Sequence, residues 1–410
     1  YTNDYSSPAV LTQAQLDKDR DGASTSETDY QADKDSYSLV YDYNMKDNLK
    51  FNLLSSYYNS VSESSTSTSI TNFDESKIAF KPKLNYEYSK GTLTAGYDYT
   101  FNNIVRDTKL GNGAFYDISK MTNSVFLNNR YDMNKLELIT GYRYEKSDYE
   151  MKDQKYGTKT PSDMDKTSSN SAYSMGLNYL YSDSGKLYGK FESGYTFPDP
   201  RQYINLTNGE GELNNLQDEE FITYEIGFQD YIINSLVKGA VYYTEKENEI
   251  RKEGSSSNIK FYNIDASKRI GGELSISQNI KKLELSESIA YVDAKVTEGT
   301  YEGKRIPYVS KITSSINATY TFNEKVDLSA NITYRDKYYV DASNLSGLVN
   351  DKFVTDIKVN YSIDSNWKTY AGINNLFNAD YYNTINYSSG AYTYDPASER
   401  NYFIGFNYSF

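Results

Sequence analysis

Apolar and polar residues alternate with a period of two along most of this chain, and that pattern constrains the fold more than any other feature. In the final segment, Tyr402, Ile404, Phe406, Tyr408 and Phe410 fall on one face, and Asn401, Phe403, Gly405, Asn407 and Ser409 on the other. Successive side chains of a strand point to opposite faces, so one face is oily and the other mostly polar. Val326, Leu328, Ala330, Ile332 and Tyr334 oppose Asp327, Ser329, Asn331 and Thr333 in the same way. So do Ile312, Ile316, Ala318, Tyr320 and Phe322 against Thr313, Ser315, Asn317 and Thr319. Near the start, Tyr37, Leu39, Tyr41, Tyr43 and Met45 share a face; in the middle, Tyr173, Met175, Leu177, Tyr179 and Tyr181 do. Alternation this persistent predicts an all-β, antiparallel chain.

Connections come in two kinds. Met45–Asn48, Ser89–Gly91, Asp132–Lys135, Ser182–Gly185, Ile233–Ser235, Asn323–Lys325 and Asp364–Asn366 have tight-turn compositions. Longer polar stretches fall at 62–76, 152–170, 198–220 and 383–400. Short turns at one rim and long loops at the other is the plan of a transmembrane β-barrel. The pattern predicts about 17 strands between Ser36 and Phe410, with residues 1–35 an extracellular loop and 36–410 the barrel. Closed bacterial barrels have even counts, so further strands are expected upstream of a chain that begins at Tyr1 rather than Met.

Composition narrows the class. No run approaches 18 apolar residues, which excludes membrane-spanning helices but not strands. The 45 tyrosines suit the aromatic girdles of a barrel, because the ring is apolar and the hydroxyl wet. A net charge of -13 argues against nucleic acid. There is no histidine, the side chain that titrates near neutrality, so membrane phospholipase and protease chemistry is disfavoured and no enzyme is expected. A strand that closes the chain on an aromatic resembles the end of Gram-negative outer-membrane barrels.

Several segments resemble one family, the TonB-dependent outer-membrane receptors. Asn374-Asn-Leu-Phe-Asn-Ala-Asp-Tyr381 is similar to its penultimate-strand box, with Asn375, Leu376, Phe377 and Tyr381 at the motif positions. Tyr195-Thr-Phe-Pro-Asp-Pro-Arg201, Asn214-Asn-Leu-Gln-Asp-Glu-Glu220 and Tyr224-Glu-Ile-Gly227 resemble three further boxes, matched at Phe197, Pro198, Asn214, Leu216, Glu219, Tyr224, Glu225 and Gly227. They depart from the family pattern at Thr196-Phe197 and Gln217-Asp218. Tyr262–Leu274 and Ile306–Lys311 look like two later strand signatures, and Phe410 like the terminal aromatic. On the residues alone, the Asn374–Phe377 amides can satisfy backbone groups at a strand exit, with Leu376 and Phe377 anchoring the rim. Pro198 and Pro200 end a ladder, and Gly271-Gly272 permit a bend or a close approach. The resemblance implies a 22-stranded barrel with an N-terminal plug, absent from this sequence, through which a TonB-type protein delivers energy. It implies uptake of a ferric siderophore or cobalamin across the outer membrane of a Gram-negative bacterium. A passive porin and a soluble β-rich adhesin are the alternatives.

Asp17, Asp19 and Asp21, followed by Gly22, match the start of a calcium loop, although its twelfth position is Thr28 rather than Glu. A solvated acidic loop accounts for them equally well. Cobalamin receptors of the family carry a similar loop, so calcium is a possible cofactor. Haem is not expected, since no histidine lies between Pro198 and Asn214. Arg201, Tyr203, Tyr387, Tyr392, Tyr394 and Arg400, in polar loops, are the candidate substrate contacts: aromatics offer stacking area and arginine pairs with anionic chelates.

Overall fold

The structure, a computed structural model, describes all residues except 1, 9, 21–26, 67, 110–112, 158–159, 161–162, 256–257, 346, 389–390 and 410, and the backbone alone at 2–8, 27, 255, 265 and 386–388. Seventeen strands run back and forth: β1 Glu27–Lys46, β2 Leu49–Ser65, β3 Ile70–Tyr88, β4 Gly91–Thr108, β5 Ala114–Met133, β6 Leu136–Tyr156, β7 Met164–Leu180, β8 Lys186–Thr196 and β9 Glu219–Ile232. β10 Ser235–Ser255, β11 Asn258–Ile280, β12 Leu283–Glu298, β13 Ile312–Asn323, β14 Val326–Arg335, β15 Lys352–Ser362, β16 Trp367–Asn374 and β17 Asn401–Tyr408 complete the series. Each pairs antiparallel with the next, from β1–β2 to β16–β17. The expected number of strands is thus found.

Every connection at one rim is tight. Left-handed backbone closes several of them, at Asn134 (φ 56°), Asn234 (φ 61°) and Lys281 (φ 55°). Asparagine tolerates that region at low cost. The other rim carries the longer segments, including a 3-10 turn at Pro200–Tyr203 and a hairpin at Ile204–Leu213.

The apolar faces point outward. Leu39 is 58% exposed, Tyr320 41%, Val359 42% and Ile404 82%. Nothing among the described residues covers them, the reverse of a soluble sandwich. The belt covers only part of the longest strands. On β6 the outward positions run from Leu138, Tyr142 and Tyr144 to Lys146, Asp148 and Glu150. About ten residues of a tilted strand cross a bilayer, so β6 and its neighbours continue well beyond it on the long-loop side. On the inward face, aromatic rings fill glycine gaps. A Cβ at Gly227 would lie 2.5 Å from Tyr188 Cζ, and the Tyr242 ring lies equally close over Gly271. Close approach of a ring, rather than a bend, is what Gly271 provides.

Three expectations need correction. The first long strand begins at Glu27, and Thr2–Pro8 is itself a strand on its outer edge, with Thr2 opposite Asp33 and Pro8 opposite Glu27. Residues 1–35 are therefore not simply a loop. The polar stretch 62–76 is mostly strand, with only 66–69 connecting β2 to β3. Within 383–400, Tyr382–Ser388 and Ala391–Pro396 form a hairpin that Leu11–Thr12 joins as a third strand. The hairpin packs Ile385, Tyr382, Tyr392 and Tyr394 against Tyr338, Val340 and Val349, a local contact that imposes no long apolar alternation.

The two ends of the sheet are also informative. β1 and β17 both run from the long-loop rim to the short-turn rim, and no register joins them among the described residues. Closing this sheet by antiparallel pairing takes an odd number of intervening strands. Thr2–Pro8, running the other way against β1, occupies the first such place.

Candidate ligand-binding mouth

One segment turns inward from the long-loop rim. Between β8 and β9 the chain lays Phe197, Tyr203, Ile204 and Leu216 against the inward residues Tyr116 and Ile118 of β5 and Tyr149 and Met151 of β6, all buried. Burying side chains of this size stabilises the contact by about 1.5–3 kcal/mol each. Pro198 and Pro200 end the ladder as expected, and Tyr149 Oη donates to the Pro198 carbonyl at 3.2 Å. Asp199 caps the 3-10 turn, accepting from Arg201 N at 3.0 Å. Asn214 holds the strap shut. Its Nδ2 donates to the Gln202 carbonyl at 2.7 Å and to Asn205 Oδ1 at 2.9 Å. Lys166 Nζ donates to the Leu216 carbonyl at 2.6 Å and lies 4.4 Å from the Tyr203 ring centre. Asp218, which accepts from Ser168 Oγ at 3.1 Å and Asn170 Nδ2 at 2.8 Å, is held above the usual carboxylate range by burial.

Beside the strap lies a cavity of about 410 Å³ lined by Phe73, Arg106, Tyr116, Tyr156, Arg201 and Phe261, among others. The Tyr116 and Tyr156 rings stack at 6.1 Å with 20° between planes. The Arg106 guanidinium lies 5.4 Å from the Phe73 ring centre and 5.8 Å from that of Tyr116. Arg106 has no ion pair among the described residues, and its Nε is buried without a hydrogen-bond partner. Arg201 Nε donates to Asp199 Oδ1 at 3.1 Å. Lys120, on the same inward face, has its Nζ 5.1 Å from the Tyr149 ring centre and 5.3 Å from that of Phe197. Arg106 and Lys120 are thus held by aromatic rings, and Arg201 by Asp199. A planar guanidinium without a carboxylate partner beside stacked rings is suited to an anionic ligand with flat faces.

The expected site residues divide. Arg201 lines the cavity. Tyr203, wholly buried and edge-on to Tyr149, is strap core and presents no surface to a ligand. Tyr392 and Tyr394 line a second cavity at the same rim. Arg400 anchors the β16 exit, with its N–H on Asn378 Oδ1 at 2.8 Å and its Nη1 on the Leu376 carbonyl at 3.3 Å. The Tyr387 side chain lies outside the described residues. Asp17 is on a short helix, Gln13–Lys18, accepting from Gln13 Nε2 at 2.7 Å. Asp19 caps that helix, and Asp21 lies outside the described residues. Among the described residues no group of three carboxylates converges as a metal site.

The motif positions are mostly structural. Phe197, Pro198, Asn214 and Leu216 build the strap. Glu219 pairs with Lys246 at 2.9 Å and accepts from Ile250 N at 2.7 Å. Glu225 accepts from Tyr188 Oη at 2.9 Å, while Tyr224 faces outward, 53% exposed. Asn375, in left-handed conformation (φ 52°), accepts from Ala379 N at 2.7 Å and donates to the Ala379 carbonyl at 2.8 Å, as expected of an amide at a strand exit. Leu376 N donates to the Thr355 carbonyl at 2.7 Å. Phe377 is 70% exposed, so it is not an anchor within the chain. Phe410 lies outside the described residues. Arg106, Tyr116 and Phe261 were not anticipated from sequence, because they lie on strands rather than loops, and Tyr156 ends β6 within the stretch 152–170 that reads as a connection.

An antiparallel wall with bare apolar faces outside, polar faces inside and a strapped mouth defines a transmembrane β-barrel. Residues 1–376 match the sequence model of the TonB dependent receptor-like, beta-barrel family, and the chain belongs to that family. It is 22% identical over 249 residues to the Escherichia coli K12 catecholate siderophore receptor Fiu, a match covering 57% of this chain and 32% of that protein. The solved structure of the siderophore receptor PiuA from Acinetobacter baumannii superposes with a TM-score of 0.75 at 17% identity, over 94% of this chain and 65% of that one. The ferric yersiniabactin uptake receptor FyuA from Yersinia pestis gives 0.77 at 13% identity, over 94% and 62%. The chain thus spans about a third of the curated relative and just under two thirds of the solved ones.

Proposed function

We propose that this chain is the barrel wall of an outer-membrane receptor that takes up a scarce ferric chelate in a Gram-negative bacterium, with a TonB-type partner supplying the work. The wall does no covalent chemistry; it binds and admits. The observation that carries this reading is the 410 Å³ cavity, where Arg106 and Arg201 face stacked tyrosines and Arg106 has no carboxylate partner among the described residues. A ferric siderophore, anionic and flat-faced, uses both features, whereas cobalamin has less need of two guanidiniums. The relatives named above are siderophore receptors, which supports the same ligand class. The test is tyrosine and tryptophan fluorescence quenching of the intact protein in detergent, titrated with a ferric catecholate or with cyanocobalamin. Wild type is expected to prefer the ferric chelate. Removing two charge-assisted contacts in R106Q/R201Q weakens that binding about tenfold or more. Unchanged affinity in the double variant, or preference for cobalamin, would contradict the proposal.

A further inference from the structure

The second cavity at the rim, about 340 Å³, is lined by Arg335, Asp351, Asp380, Tyr381, Tyr382 and Tyr394, among others, and Lys352 stands beside it over the Tyr381 ring. Arg335 ends β14 and Lys352 begins β15, and the two are directly opposite in the antiparallel register. Like charges in that position destabilise a sheet. Both share the inward face with Asn331, Thr333 and Asp356. Each meets a ring instead of a carboxylate: Arg335 Cζ lies 4.7 Å from the Tyr338 ring centre and Lys352 Nζ 4.1 Å from that of Tyr381. Neither has an ion pair among the described residues, and Arg335 Nε is buried without a hydrogen-bond partner. The nearby acids are engaged or turned to solvent. Asp356 accepts from Asn375 N at 2.8 Å, Asp380 is ion-paired with Arg20, and Asp351 is exposed at the cavity edge.

We propose that this cavity is a second anion-binding site, one that takes a small aryl carboxylate, with the carboxylate between Arg335 and Lys352 and the ring among Tyr381, Tyr382 and Tyr394. A bound carboxylate relieves the like-charge pair. The tyrosines supply ring contact, and the volume is at the small end of ligand pockets, which start near about 300 Å³. The site shares with the chelate cavity only its position at the rim. Either can fail without the other.

The experiment is calorimetric titration of the intact protein in detergent with 2,3-dihydroxybenzoate, and with catechol as the neutral analogue. The benzoate is expected to bind at least about tenfold more tightly than catechol. R335Q/K352Q is expected to lose that binding by about tenfold or more, R335K/K352R to retain most of it, and R106Q/R201Q to leave it unchanged. Equal binding of the neutral analogue, indifference to R335Q/K352Q, loss in R106Q/R201Q, or no binding of the benzoate would each overturn the assignment. R335K/K352R separates loss of the site from loss of the fold: if it too fails to bind while keeping wild-type heat-modifiable gel mobility, charge alone is not what the cavity reads and the proposal fails.

Discussion

At the scale of single residues, Asn375 shows how one side chain closes a structural problem. The chain leaves β16 there and must reverse, which exposes backbone groups that no neighbouring strand can pair. Asn375 takes the left-handed conformation that asparagine tolerates, and its buried amide satisfies both the N–H and the carbonyl of Ala379. Its own N–H reaches Asp356 Oδ1, which ties the exit to β15. Asn375→Ala removes the side-chain bonds and leaves buried groups unsatisfied. It is expected to lower stability by about 2–4 kcal/mol in denaturant titration. A loss under about 0.5 kcal/mol would show that the exit is held elsewhere.

At the scale of elements, the strap between β8 and β9 combines a strong apolar contact with poorly satisfied polar groups. Tyr203 Oη is among the buried atoms without a partner, as is Asn214 Oδ1. Asp218 adds a charge raised above the ordinary carboxylate range by burial. Its folded pKa exceeds the unfolded one, so protonation favours the docked strap. The penalty applies at neutral pH and is relieved as pH falls through the folded value. Hydrogen exchange of the 198–216 amides, corrected for intrinsic rates, is therefore expected to slow between pH 7 and pH 4.5, and Asp218→Asn to abolish that change. Faster exchange at the lower pH in wild type would contradict this. The strap also marks where sequence reading runs out. Pro198, Pro200 and Asn214 signal a strand exit, but Phe197, Ile204 and Leu216 follow no period, so nothing in the sequence says that they fold inward onto Tyr149 and Met151.

At the scale of the molecule, the transmembrane half of the wall was legible and the watery half was not. Lipid outside and water inside impose the period-two signal, which is why about 17 strands could be counted from residues alone. Where β1, β2, β3 and β6 rise beyond the belt, the outward face is polar as well and the signal disappears, so Glu27–Asp35 and the ends of β2 and β3 looked like loops. Arg201 was anticipated, but Arg106, Arg335 and Lys352 were hidden for a related reason. Arg335 shares the polar face already evident from Asp327, Ser329, Asn331 and Thr333, yet parity alone does not reveal that it lacks a carboxylate or faces a tyrosine. The register between neighbouring strands decides that, as where Arg106 falls opposite Phe73 on β3 and Tyr116 on β5.

The account rests on which side of this wall meets hydrocarbon. Nitroxide labels placed one at a time at Tyr320, Val359 and Ile404, and at Asn331 and Lys358 on the other face, test it in reconstituted bilayers. The first three are expected to relax with dissolved oxygen and resist a water-soluble nickel chelate, and the last two to do the reverse. Labels at Tyr320, Val359 and Ile404 that respond to the nickel chelate and not to oxygen would contradict the account.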